Sequence, residues 1–128
     1  MAFTTSDLAQ LPRTTATLER DGEQIAYEGV LLYDLILKTY GLPAGKPLPV
    51  NSKASYVRGT CRDGYTVVIS LGEIAPNFSG NRVVVADKRV DGPLLGYQQP
   101  AQLIVPQDKV HGRSAFSLIK LEVVELQP

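Results

Sequence analysis

The chain has 128 residues, 13 basic against 13 acidic side chains, 44% hydrophobic residues, 11 Gly, 9 Pro and a single cysteine, Cys61. That is the size of one ordinary domain, able to bury a core without staples. Zero net charge gives no long-range pull toward nucleic acid or anionic lipid, one cysteine excludes an internal disulfide and a cysteine-cluster metal site, and no apolar run approaches the ~18 residues of a membrane helix.

In chain order, Thr4, Thr5 and Ser6 offer hydroxyl caps to Asp7-Leu8-Ala9-Gln10-Leu11 before Pro12, which predicts a short helix. Thr14 to Glu19 is rich in β-branched residues, Asp21-Gly22 is a turn signal, and Gln24 to Glu28 alternates polar with apolar, so the two strands should form a hairpin. Gly29 opens Val30 to Gly41, where Leu31, Leu32, Leu35 and Ile36 share a helical face and Gly41 suits a C-cap. A proline-rich connector follows, from Pro43 to Pro49.

Ser55 to Cys61 reads as a strand, Arg62-Asp63-Gly64 as its turn and Tyr65 to Ser70 as the return, with Tyr56 and Tyr65 expected to pair across this hairpin. Leu71 to Ile74 predicts one helical turn ended near Pro76. Asn81 to Asp87 is a third apolar strand, Asp91-Gly92-Pro93-Leu94 a turn, Ala101 to Pro106 a further strand, and Ser117 to Leu126 a last strand at period two. The expected fold is one α+β domain over residues 1–128, a mixed β-sheet core with two or three short helices. Its core should hold Leu18, Ile25, Val67, Ile69, Val83, Val85, Leu103, Val105, Leu121 and Val123.

Six segments, in order, resemble the molybdopterin-binding domain of the sulfite-oxidase family. Asp7-Leu8-Ala9-Gln10-Leu11-Pro12 is similar to its DLxxLP opening, and Thr15 to Glu19 to its first core strand. Tyr27 to Ile36 resembles its WxGVxLxDLL segment, and Asp63-Gly64-Tyr65 its second hairpin. Asp91-Gly92-Pro93-Leu94 and Ala101 to Pro106 resemble DGxPL and GPxRLVVP. The resemblance covers nearly the whole chain and implies a sulfite-oxidase-like fold. These are mostly packing and turn residues, so they speak to fold rather than chemistry.

The family's catalytic strand runs into a cysteine whose thiolate ligates molybdenum, followed by Ala-Gly-Asn and a basic pair. Here that place falls at about Arg20, and Asp21-Gly22 closes a tight turn instead. Without the thiolate a molybdenum centre loses a ligand, not a tuning contact. No metal site and no cofactor are expected, although the resemblance itself would imply molybdopterin. The reading is therefore a non-catalytic domain that takes a small anionic or pterin-like ligand or a protein partner. The alternative is a molybdopterin-dependent oxidoreductase with a thiolate-free site.

Cys61 is read as a small buried hydrophobe; the other reading is a thiol activated by Arg58 and Arg62. His111-Gly112-Arg113 matches a stretch that approaches pterin and substrate anion in the family. His111 and Arg113, with Arg58 or Arg62, are the candidate anchors for an anion, because guanidinium forks bind oxyanions bidentately. Arg58, Arg62, Arg82, Lys88, Arg89 and Arg113 either converge on one groove or are scattered over the surface, which is the commoner case. No nucleic-acid partner and no membrane insertion are expected. With no recognisable signal peptide, the chain would be periplasmic or secreted as a trimmed mature domain and cytoplasmic otherwise.

Overall fold

The computed structural model describes residues 8–39, 55–76, 80–108 and 111–125. The expected cap at Thr4 to Ser6, the Gly41 C-cap and the Pro43–Pro49 connector lie outside these residues.

Leu8 and Ala9 are helical, and Leu8 is buried. Strands β1 (Arg13–Arg20) and β2 (Glu23–Leu31) pair antiparallel around Asp21-Gly22, from Arg20↔Glu23 to Arg13↔Val30. Asp21 and Gly22 both have positive φ, 51° and 82°, as the tightest hairpin turn requires. Helix α1 (Leu32–Thr39) follows directly. Then come β3 (Ser55–Cys61), β4 (Thr66–Ser70), α2 (Leu71–Ile74), β5 (Val84–Arg89), β6 (Gly92–Pro93), β7 (Gln102–Ile104) and β8 (Leu118–Glu125). The β3–β4 turn is fixed by Gly64 N donating to Cys61 O at 2.9 Å and Tyr65 N donating to Asp63 Oδ1 at 3.1 Å.

The strands form two sheets: β1-β2-β5-β6, with β7 also pairing β5, and β4-β3-β8. The structure is α+β in the general sense. All described pairs are antiparallel, so the parallel pairs of a mixed sheet do not occur among the described residues. The main core lies between the sheets and α1, where Val85, Leu103 and Val105 meet Val57, Ile69 and Leu121, with Leu35 and Ile36 of the helix. A smaller core on the other side of the larger sheet holds Ala16, Leu18, Tyr27, Val84, Ala86, Leu94 and Ile104. Of the ten expected core residues, eight are buried, and Ile25 and Val123 are half-buried against these clusters.

Three local expectations are corrected. The helix starts at Leu32, not Val30, because Val30 and Leu31 pair with Val85 and Val84 and extend β2. Gly29 allows this: a Cβ there would lie 2.0 Å from Val85 O, so the two backbones meet where only glycine fits. The third apolar strand begins at Val84, since Val83 O instead accepts from Leu32 N at 2.8 Å. Tyr56 and Tyr65 do not pair: Tyr56 faces Ser70, and Tyr65 precedes β4 and donates its hydroxyl to Gly112 O at 2.8 Å.

Candidate functional site

The short helix α2 anchors the segment that leads on to Arg82. Ser70 Oγ accepts from Glu73 N at 3.2 Å while Glu73 Oε2 accepts from Ser70 N at 2.9 Å, a reciprocal cap that holds a four-residue helix in place. The segment leaving it is tied back by Gly80 N donating to Ala75 O at 3.1 Å and Asn81 N donating to Glu73 O at 2.8 Å. Arg82 is thereby carried across to the edge of β1 that pairs with no strand among the described residues. Its Nη2 donates to Thr14 Oγ1 and, at 3.3 Å, to Thr15 O.

That second bond sets the direction of the β1 backbone. Thr15 O points away from β2, and in an antiparallel pair the residue two positions on points the same way. Thr15 and Thr17 thus turn their peptide groups toward the cleft. The cavity here is about 610 Å³, lined by β1, by Gly80 to Arg82 and by Pro106-Gln107. Among the described residues no carboxylate lines it, and Arg82 is the one cationic side chain that does. Behind Asn81 and Arg82 lies a second cavity of about 280 Å³, mostly apolar, against Leu31, Tyr33, Ile74 and Val83, with the buried Asp34 also in its lining.

Arg113 sits elsewhere. Its guanidinium donates to both oxygens of Glu73 at 2.9 and 3.1 Å, to both of Asp108 at 2.8 and 2.9 Å, and to Val68 O at 3.2 Å. Asp108 first, then Glu73, raises its pKa, and Arg113 in turn holds the Glu73 carboxyl below its ordinary value. Its fork is already filled by two carboxylates. His111 opens the 3-10 turn His111–Arg113, and its side chain lies outside the described residues. Arg58 lies on the solvent face of the smaller sheet, paired with Glu122 at 3.2 Å, and Arg62 is exposed in the β3–β4 turn.

The basic residues are therefore spread over the surface. Arg82 lines the cleft and the cavity behind it, Arg89 lines a different cavity, Arg113 lies against the β4 backbone, and Arg58 is on a sheet face. Arg82 has no motif around it; only the return of residues 80–82 toward β1 gives it a role.

Cys61 is 2% exposed and inside the main core, and burial, followed by the charge of Asp63, pushes its thiol pKa up. It has the character of a packed side chain rather than of a thiolate. The described residues contain no cluster of three or more His, Cys, Asp or Glu able to hold a metal. With Cys61 buried in the other sheet's hairpin and an arginine at position 20, the residues do not match the thiolate-ligated centre that the sequence resemblance implies.

No family model matches the chain, and no curated protein matches it.

Proposed function

We propose that this is a non-catalytic domain of sulfite-oxidase-like fold that binds a small anionic ligand in the cleft between β1 and Arg82. The observation that carries the reading is the lining itself: a guanidinium, outward-turned N–H groups of Thr15 and Thr17, the Asn81 and Gln107 amides, and no carboxylate among the described residues. Such a set supplies donors to an anion, and the carboxylate of Asp34 belongs to the lining of the cavity behind Arg82 rather than to this one. Its volume of about 610 Å³ falls in the range of small-molecule sites. Nη1 and Nε of Arg82 carry no hydrogen bond among the described residues, which leaves them for the ligand.

The test is calorimetry with pterin, nucleotide, sulfite and sulfate on wild type, Arg82→Ala and Arg113→Ala. Arg82→Ala should weaken binding by about tenfold or more, and affinity should fall as salt rises. Equal binding by wild type and Arg82→Ala would move the anion to the anchors read from the sequence: His111, Arg113, Arg58 and Arg62.

A protein partner is the second reading. Tyr97 is 62% and Leu95 45% exposed, and the Tyr97 ring meets Phe116 edge-on at 5.2 Å, an aromatic surface of the kind that interfaces use. Failure of every ligand in the panel would favour it. No step is assigned to the oxidoreductase alternative.

A further inference from the structure

Among the described residues, three buried side-chain polar atoms have no hydrogen-bond partner: Tyr27 Oη, Arg89 Nε and Gln102 Oε1. Strand register puts all three on one face of the larger sheet. Tyr27 is opposite Arg89, Gln102 is opposite Ala86, and Ala86 shares the smaller core with Tyr27. An unpaired buried donor or acceptor forfeits its hydration without a replacement bond, so three on one face are notable.

Arg89 is the member of the set that reaches a cavity. Its guanidinium lies over the Tyr27 ring, 6.0 Å from the centroid, which orients the fork and covers its inner side. The outer side lines a cavity of about 280 Å³ at the start of β2 and the end of β5. Glu23 and Asp91 line the same cavity, yet neither forms an ion pair with Arg89. Ile25, Ala26 and Val90 supply its apolar wall. None of these residues belongs to the Arg82 cleft.

One cation and two acidic residues that line a single cavity without pairing with each other suit a ligand that carries both charges. A simple carboxylate would find Arg89 but meet Glu23 and Asp91; a simple amine would meet the reverse. A zwitterion satisfies both ends, and opposed fixed charges reject either half alone. The cavity is slightly smaller than the ~300 Å³ at which drug-sized sites begin, which limits the ligand to a few heavy atoms beyond its charged groups.

We propose that the cavity between Arg89, Glu23 and Asp91 binds a small apolar α-amino acid, its carboxylate on the Arg89 guanidinium and its ammonium on the two carboxylates. The side chain of the ligand rests on Ile25 and Val90.

The experiment is an NMR titration of the full chain with L-alanine, acetate and methylammonium. L-alanine should bind with amide shifts at Ala26, Val90 and Asp91, and acetate and methylammonium should each bind at least about tenfold more weakly. Arg89→Lys loses the bidentate fork and should weaken L-alanine by about tenfold. Asp91→Asn, in an exposed turn, should leave the fold intact and shrink the preference for L-alanine over acetate. Acetate binding as tightly as L-alanine, absence of L-alanine binding, or no effect of Asp91→Asn combined with Glu23→Gln would each overturn the proposal. Shifts confined to Thr15, Thr17 and Asn81 would assign the ligand to the Arg82 cleft and overturn it as well, without bearing against that cleft's own role.

Discussion

Arg113 ties three segments together with one side chain: Glu73 in α2, Asp108 after β7 and the Val68 carbonyl of β4. Glu73 is the informative partner, because its depressed pKa links the ion pair to pH. Its carboxyl lies below the ordinary 4.5, chiefly through the Arg113 hydrogen bond. A carboxyl with a lowered folded-state pKa stabilises fully above its unfolded value and loses that contribution as pH falls through the folded one. Glu73→Gln retains a capping side chain and removes the charge. It should cost about 1–2 kcal/mol at neutral pH, a pair about one-third exposed being partly screened. The gap should narrow as pH drops below 4.5. Denaturant melts of both proteins across that range measure it, and a gap independent of pH would remove the ion pair from the account. Cys61 makes a second prediction at this scale. Buried, with its thiol pKa raised, it should react slowly with a thiol reagent in the native state at neutral pH. Cys61→Ser should cost about 1–3 kcal/mol by placing a hydroxyl in an apolar site.

The elements show where local signals suffice and where they do not. Both hairpins were legible because their turns carry their own chemistry: Asp21-Gly22 and Gly64 take positive φ, which Asp tolerates and Gly adopts freely. The start of α1 was not legible. Val30 and Leu31 fit a helical period, but they become strand because β5 pairs with them, and β5 lies more than fifty residues along the chain. Gly29 is the position that permits this pairing. Gly29→Ala would set a methyl 2.0 Å from Val85 O and 2.6 Å from Ala86 Cα, both backbone atoms that cannot swing aside. The expected loss is about 3 kcal/mol or more, beyond ordinary overpacking, read as a lower denaturation midpoint. A loss under about 1 kcal/mol would mean that the β2–β5 contact relaxes easily. Helix α2 gives a milder counterpart: Ser70→Ala removes its cap and should cost about 1 kcal/mol, with Asn81 and the Arg82 cleft loosened in consequence.

At the scale of the molecule, two antiparallel sheets share one core, and the larger sheet carries a second, smaller core on its other side. The cavities of interest open at the borders of the larger sheet, one along the outer side of β1 and one at the ends of β2 and β5. Neither offers a thiolate, so protein made in a molybdenum-replete host with an intact cofactor pathway should carry well below stoichiometric molybdenum. Elemental analysis after gel filtration checks this, and metal near one atom per chain would overturn the non-catalytic reading. No helix among the described residues is long and apolar enough to cross a membrane.

The sequence by itself determined the α+β class, both hairpin turns, most of the core and the packed character of Cys61, because periodicity, turn residues and apolar strands act over a few neighbouring positions. Only the tertiary structure decided which arginine does what. Arg58 and Arg113 pair with Glu122, Glu73 and Asp108, whereas Arg82 and Arg89 line cavities and pair with no carboxylate among the described residues. Nothing local marks that difference. It depends on which acid lies within about 4 Å once distant strands have paired, and the sign and strength of a charge contact are set by that distance and by burial.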